Sequence, residues 1–224
     1  MADSRNEPVV VIGLGRFGGA LAVELNNRGT EVLGIDGDAR TTQGYSGQLP
    51  HLATADATDV EALRQLGVNE FHRAVVGIGT DIQASILATS LLAELGVADI
   101  WAKAISRQHG RILERVGAHH VILPEHDMGE RVAHLLTGRL LDYVEVDRDF
   151  AMVKTTPPQD AVSVPLRESR VRSRYGVTVV AVKSEARGPD ARFTYATPDT
   201  VLMYGDIVLV LGRIDDVERF AESG

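Results

Sequence analysis

The segment from Pro8 to Asp36, PVVVIGLGRFGGALAVELNNRGTEVLGID, leaves this chain few folds to choose from. Val9-Val10-Val11-Ile12 is a short apolar, β-branched run, the pattern of a strand buried on both faces. It runs directly into Gly13-Leu14-Gly15-Arg16-Phe17-Gly18, then into a helical pattern with Leu21 and Leu25 facing inward. A second apolar run, Glu31 to Ile35, ends in Asp36, roughly 20 residues beyond the glycines. Strand, glycine turn, helix, strand and acid together form the dinucleotide-binding pattern in its required context. Gly13 permits the tight turn, Gly15 lets a phosphate approach the backbone, and Gly18 lets helix and strand pack closely. The helix start offers free N–H groups and partial positive charge to the phosphates. Asp36 can accept hydrogen bonds from both ribose hydroxyls and would repel a 2′-phosphate.

Arg16 stands inside the loop, at the end of a helix where the macrodipole disfavours a cation. A guanidinium there can fork onto a terminal phosphate; the plain alternative is a solvated arginine.

Composition narrows the function classes. The chain has 224 residues, no cysteine and a net charge of −8. Thiolate catalysis, disulfides and cysteine-ligated metals are excluded together. The acidic balance, with no Lys/Arg block, argues against a nucleic-acid backbone as partner. MADSRNE at the start is polar, and no apolar run approaches the roughly 18 residues that span a bilayer. The expectation is a cytosolic protein whose membrane involvement comes through a partner.

Strands and helices alternate through residue 137. Helical stretches are expected around Asp38 to Tyr45, through Leu66, from Asp81 to Leu95, from Gln108 to Val116 and, opened by Pro124, from Glu125 to Leu136. Strands are expected at His51 to Thr54, Arg73 to Ile78, Ile100 to Ala104 and His120 to Leu123. Thr58 is the expected N-cap of the helix through Leu66, with Glu61 completing a capping box. The fold class is α/β: a Rossmann-like, doubly wound parallel sheet over 1–137. Gly138 ends the alternation, and Leu141 to Asp147 reads as a half-buried strand within a linker, 138–150. From 151 to 224 the texture changes: Pro157-Pro158, Pro165, Pro189 and Pro198 punctuate short strands such as Val177 to Val182 and Ile207 to Leu211. This is a small α+β module, too short for the catalytic half of a typical dehydrogenase.

With both halves read, the chain resembles the KtrA/TrkA family, on its KtrA side. Those are cytosolic subunits that gate bacterial potassium transporters and carry two RCK (regulator of potassium conductance) domains, RCK_N and RCK_C. The resemblance covers about residues 7 to 222. It rests on VIGLGRFGG at 11–19, GIGTDIQAS at 77–85, DIWAKA at 99–104 and ILPEHDMGERVA at 122–133, followed by RVRSRYGVTVVAVK at 170–183 and GDIVLVLGRIDDVERF at 205–220. It implies that Gly13, Gly15, Arg16, Phe17 and Gly18 form a phosphate loop, with Arg16 reaching the terminal phosphates of ATP. It makes Asp36 the ribose acid and sets Asp56, Ala57 and Thr58 beside the adenine, Asp56 replacing an amide found in some relatives. Ile78 and Gly79 line the strand-four edge, and Lys103 and Glu125 form an inner pair near the phosphates. Glu125 is then a candidate ligand for a divalent ion such as Mg2+; without the resemblance it reads as an acid answering the helix dipole. In many members cyclic di-AMP is held in the C-terminal domain, which implies roles for Val164, Arg172, Val179 and Pro198. The plain alternative is that these four build a dimer interface. An asparagine expected beside Arg172 is Arg170 here.

The seven histidines give no shared metal site by pattern. His119 and His120 are adjacent, so on a strand they point to opposite faces, and none of the others makes an i, i+4 pair on one helix.

The resemblance implies a regulatory, non-enzymatic subunit that binds ATP and ADP, or NAD(H). It implies a homo-oligomer, an octameric ring of dimers, peripheral to the inner membrane through a KtrB- or TrkH-like potassium channel subunit. The alternative is an NAD-dependent oxidoreductase. Against it, 150–224 holds no histidine or cysteine and no lysine beyond Lys154 and Lys183, so no acid–base pair is on offer opposite a nicotinamide. An NAD-binding transcriptional sensor is disfavoured by the acidic charge and the lack of a DNA-reading helix.

Overall fold

The computed structural model describes residues 7–137, 139–188 and 190–224. The polar opening residues 1–6, the break expected at Gly138 and the punctuating Pro189 lie outside the described residues. The chain gathers into two compact units, Met1–Glu125 and His126–Gly224.

In the first unit the chain runs β1 (Val9–Ile12), α1 (Arg16–Asn27), β2 (Val32–Asp36), α2 (Ala39–Gly44), β3 (His51–Thr54) and α3 (Val60–Gln65). It continues through β4 (Arg73–Val76), α4 (Ile82–Glu94), β5 (Asp99–Lys103), α5 (Arg107–Arg115) and β6 (His120–Ile122). The strands form one sheet in the order β3-β2-β1-β4-β5-β6, every pairing parallel. All of β1 is buried because it feeds two cores. Val9 and Val11 pack with Leu14, Ala22 and Leu49 on the face of α1. Val10 and Ile12 pack with Leu63, Ala88, Leu92 and Leu113 on the face of α3, α4 and α5. Each such side chain contributes about 1.5–3 kcal/mol by leaving water, so the central strands are the firmest part of the unit. After β3 the chain crosses to the far side of β1. The carboxyl ends of β1 and β4 therefore open a crevice where strand order reverses, the place where open α/β sheets take ligands.

The expected cap at Thr58 is corrected. Asp59 is the N-cap of α3, its carboxylate accepting from Glu61 N at 2.9 Å and Ala62 N at 3.3 Å. The Thr58 hydroxyl is already committed, donating to Asp56 Oδ1 at 2.7 Å, and Glu61 pairs with Arg64 at 2.7 Å instead of closing a capping box.

α6 (Pro124–Thr137) leads into the second unit, which runs β7 (Asp142–Asp147), β8 (Phe150–Thr155), α7 (Leu166–Ser169), α8 (Val171–Tyr175), β9 (Thr178–Lys183), β10 (Thr194–Tyr195), β11 (Ile207–Arg213) and α9 (Ile214–Glu222). Its sheet has the order β10-β9-β11-β8-β7 and is antiparallel throughout. Val153, Val208 and Val210 pack beneath Val217, Phe220 and Ala221 of α9, and Tyr175 meets Phe220 edge-on at 5.3 Å. The expected linker strand takes a different form. Residues 142–147 are the edge strand of this sheet, hydrogen-bonded to β8, and beyond Tyr143 their alternation is not buried. An edge strand has a neighbour on one side, and its pattern specifies a strand without supplying a cover. Among the described residues no helix is long and apolar enough to cross a membrane.

Candidate functional site

The crevice is a cavity of about 650 Å³ at the carboxyl ends of β1, β2, β4 and β5, within the range of small-molecule sites. Its floor is the glycine loop. Gly13 has φ +87°, a conformation that favours glycine, and its N–H donates to Ile35 O at 2.8 Å. Gly15 is the N-cap of α1, with no side-chain cap and no acid in the first turn. The helix start is thus left to an anion, and no atom lies within 4 Å of where a Gly15 Cβ would stand. Gly18 does not line the cavity. A Cβ there would collide with the Gly13 carbonyl oxygen, so its role is the close packing of α1 under the loop. Gly77, just past β4, repeats this constraint, since a Cβ there would lie 2.8 Å from Gly13 O.

One end of the cavity is acidic. Asp36 Oδ2 accepts from Leu14 N at 2.7 Å and Oδ1 from Asp38 N at 2.9 Å. A carboxylate oxygen has two lone pairs, so Asp36 can clamp the glycine loop and still accept from a ribose. Asp56 Oδ1 accepts from both Thr58 N, at 2.8 Å, and Thr58 Oγ1. Those bonds hold its carboxyl below the usual carboxylate range, the backbone one foremost. Ala57 and Thr58 line the same wall, and Ile78 and Gly79 face it from the end of β4.

The other end is basic. Arg16 opens α1 at the rim. Lys103, which the sequence alone reads as an ordinary edge lysine, is buried, 8% exposed. Its ammonium donates to Glu125 Oε1 at 2.6 Å and lies 5.9 Å from the centre of the Phe17 ring. Glu125 is held below its usual range, first by that hydrogen bond and also by the nearby Lys103 and Arg16 charges. One side of a nucleotide is a polyanion and the other carries hydroxyls and an amine; a cavity with Arg16 and Lys103 at one end and Asp36 and Asp56 at the other has matching polarity.

The structure brings Gly13, Gly15, Arg16, Phe17, Asp36, Asp56, Ala57, Thr58, Ile78, Gly79, Lys103 and Glu125 to this one cavity. Sequence reasoning missed Asp38, Thr41, Thr80 and Ile105, which also line it. Their signal is position: Asp38, Thr80 and Ile105 lie in the segments that follow β2, β4 and β5, and Thr41 lies in α2, the helix after β2. Among the described residues no three His, Cys, Asp or Glu side chains are placed to hold a metal. A divalent ion beside Glu125 would have to take its other ligands from a bound molecule. His119 Nδ1 accepts from Ile100 N at 3.1 Å, and His120 stacks on Trp101 at 4.1 Å.

In the second unit, Arg172, Val179 and Pro198 line one groove of about 370 Å³. Val164 does not line it. The Arg172 guanidinium donates to Thr178 Oγ1 at 3.0 and 3.2 Å. Arg170 has φ 53°, the left-handed conformation that asparagine takes more readily.

Residues 9–124 match the TrkA-N domain and residues 150–223 the TrkA-C domain. The Ktr system potassium uptake protein A of Bacillus subtilis is 34% identical over 100% of both chains. The Ktr system potassium uptake protein C of the same organism is 36% identical over 94% of each. Among solved structures, the GsuK RCK domain superimposes with a TM-score of 0.66 at 16% identity, covering 99% of this chain. The present chain spans 49% of that structure's length. Other structures of GsuK are described as bound to NAD and to ADP.

Proposed function

This chain belongs to the family of Ktr potassium-uptake proteins built from TrkA-N and TrkA-C domains, and from that premise we propose that it is a nucleotide-sensing regulatory subunit. The observation that carries the reading is the two-ended cavity, with an uncapped helix start, Arg16 and Lys103 at one end and Asp36 and Asp56 at the other, which we read as its phosphate and nucleoside ends. ATP and ADP are the proposed ligands, with NAD(H) as the competing dinucleotide in the same place. Hydride transfer at the nicotinamide C4 needs a neighbouring group to give or take the substrate's proton, and the Lys103 ammonium, the nearest candidate at the basic end, is committed to Glu125 at 2.6 Å. The subunit is therefore read as binding its nucleotide without turning it over.

Regulation requires the ligands to differ in what they touch, since a ligand of equal affinity for two conformations shifts nothing. In this reading Arg16, which lines the cavity at the start of α1, engages a γ-phosphate that ADP lacks. A divalent ion such as Mg2+, held by phosphate oxygens and Glu125, would draw Glu125 away from Lys103 and release the ammonium to the phosphates. One charge-assisted contact is worth about 1.5–3 kcal/mol, short of the roughly 5.5 kcal/mol that inverts a 1:99 equilibrium. Several subunits acting together reach that figure, which favours a homo-oligomer; an octameric ring of dimers is the proposed assembly. The proposed partner is a membrane-embedded potassium channel subunit. The groove at Arg172, Val179 and Pro198 is the proposed place for cyclic di-AMP.

Calorimetric titration of the purified chain with ATP, ADP and NAD tests this reading. ATP and ADP should compete for one site per chain. Absence of binding by any adenine nucleotide, or steady oxidation of NADH against a substrate panel, would overturn it.

A further inference from the structure

The second unit holds a polar pocket that nucleotide binding leaves unused. It encloses about 290 Å³ and is lined by Asp127, Glu130 and Arg131 of α6 and by Tyr143, Val144 and Glu145 of β7. Arg131 is spent internally, donating to Asp142 Oδ1 at 2.6 Å. The carboxylates of Glu130 and Asp127 lie 3.4 and 3.9 Å from the His126 imidazole, and Glu145 adds a third carboxylate to the lining.

A second observation points to a ligand. Tyr143 is 3% exposed, and among the described residues its hydroxyl has no hydrogen-bond partner. A buried hydroxyl left unpaired costs about 1–3 kcal/mol, and a native site keeps such a cost where something else supplies the bond. The ring cannot turn away easily. His134 stacks on it at 4.2 Å and is itself fixed by Glu218 at 2.8 Å. Burial, then the charges of Glu145, Glu218 and Glu130, raise the phenol's pKa and keep it protonated. It is a neutral oxygen among carboxylates, able to accept from a cation.

A bare metal ion does not fit, because no three acids or imidazoles among the described residues converge as ligands. The volume is below that of ordinary small-molecule pockets. The neighbouring strand supplies the rest of a binding surface. Among the described residues β7 is the edge of its sheet, paired to β8 alone. Val144 and Val146 are 52% and 58% exposed on it, and Glu145 and Asp147 place negative charge along it, Asp142 being paired with Arg131. A copy of the same edge would set like charges opposite one another and be repelled. An extended segment with alternating apolar and cationic side chains would be accepted: the backbone pairs with β7, apolar groups meet Val144 and Val146, and a long cationic side chain enters the pocket.

We propose that the outer edge of β7 and the acidic pocket beside it dock an extended, basic segment of a partner protein. The probe is a short fluorescein-labelled peptide of alternating arginine and valine, titrated against the full chain by anisotropy at physiological salt. Saturable binding is expected, with slowed amide hydrogen exchange at Val144 and Val146. Replacing arginine by citrulline in the peptide, or Glu130→Gln with Glu145→Gln in the protein, should weaken it by about tenfold or more. Tyr143→Phe should weaken it about threefold while leaving Tm unchanged or raised, since it removes an unpaired hydroxyl; a role in packing alone would not give that split. Equal affinity in the Glu130/Glu145 double variant, or an equal loss from the remote pair Glu24→Gln and Glu94→Gln, would overturn the proposal. So would full displacement by spermidine with no protection of the β7 amides, which would make the site one for free polyamines.

Discussion

Gly18→Ala sets two effects of known size against each other. Gly18 lies in the first turn of α1, and alanine in a helix is favoured over glycine by about 1 kcal/mol. If propensity decided, the variant would be more stable. The surroundings point the other way. The new Cβ would collide with the Gly13 carbonyl oxygen, stand 3.1 Å from the Gly13 carbonyl carbon and touch Val11 Cγ1 at 3.5 Å. Gly13 cannot retreat freely, because its N–H is bonded to Ile35 O and Gly77, just past β4, packs so near that even a Cβ there would lie 2.8 Å from the Gly13 oxygen. Overpacking costs about 1–3 kcal/mol, and a displaced loop forfeits a hydrogen bond worth about 1 kcal/mol more. Net destabilisation of about 1–3 kcal/mol follows once the helix gain is subtracted. The chain's single tryptophan, Trp101, sits in β5, so urea unfolding followed by its fluorescence reports this unit directly. Gly15→Ala is the companion variant. Its Cβ meets nothing, so stability should fall by less than about 1 kcal/mol, while nucleotide affinity drops because the methyl occupies the phosphate approach. A Gly18→Ala protein stabilised by the full propensity term would refute the packing argument.

Glu125→Gln should destabilise the free protein by about 1–2 kcal/mol, less than the 3–5 kcal/mol of a fully buried broken pair because the Glu125 side chain is 64% exposed; saturating nucleotide should restore the loss, read as Tm with and without ATP. Since the Glu125 pKa is lowered in the fold, its contribution is present above the ordinary carboxyl value of 4.5 and lost as pH falls below it, so acid unfolding of the Gln variant should be flatter there. Asp36→Ala should weaken both ATP and ADP by about 1.5–3 kcal/mol in calorimetry and also loosen the loop, seen as faster hydrogen exchange at Leu14; unaltered affinity would remove Asp36 from the site. Asp59→Ala should cost about 1 kcal/mol of stability and Thr58→Ala less, measured by urea unfolding; the reverse order would return the cap to Thr58.

The order β1, loop, α1, β2 is legible because local rules agree there: a strand buried on both faces, glycines where the backbone turns, an acid at the next strand end. The parallel alternation through β6 is legible for the same reason. What could not be read depends on neighbours distant in sequence. Asp36 as a clamp on Leu14 requires the loop to be folded over it. Thr58 and Asp59 are both good caps, and the choice rests on the hydroxyl's bond to Asp56. Lys103 gives no sign of burial in DIWAKA, since its partner lies 22 residues away. The strand within Leu141 to Asp147 is visible as a period of two, but that it forms a sheet edge follows from pairing with β8. Val164 falls away from the groove of Arg172 because nothing in sequence spacing relates them in space.

On the proposed mechanism one cavity distinguishes ATP from ADP through the arginine in its glycine loop. Calorimetric affinities of Arg16→Ala for both nucleotides, set against the unaltered chain, test it directly. ATP affinity should fall by about tenfold to a hundredfold, the equivalent of 1.5–3 kcal/mol, with ADP changed by less than about 0.5 kcal/mol. Equal losses for ATP and ADP would leave a nucleotide site without its proposed switch contact, and no loss for either would make Arg16 a solvated helix-start residue.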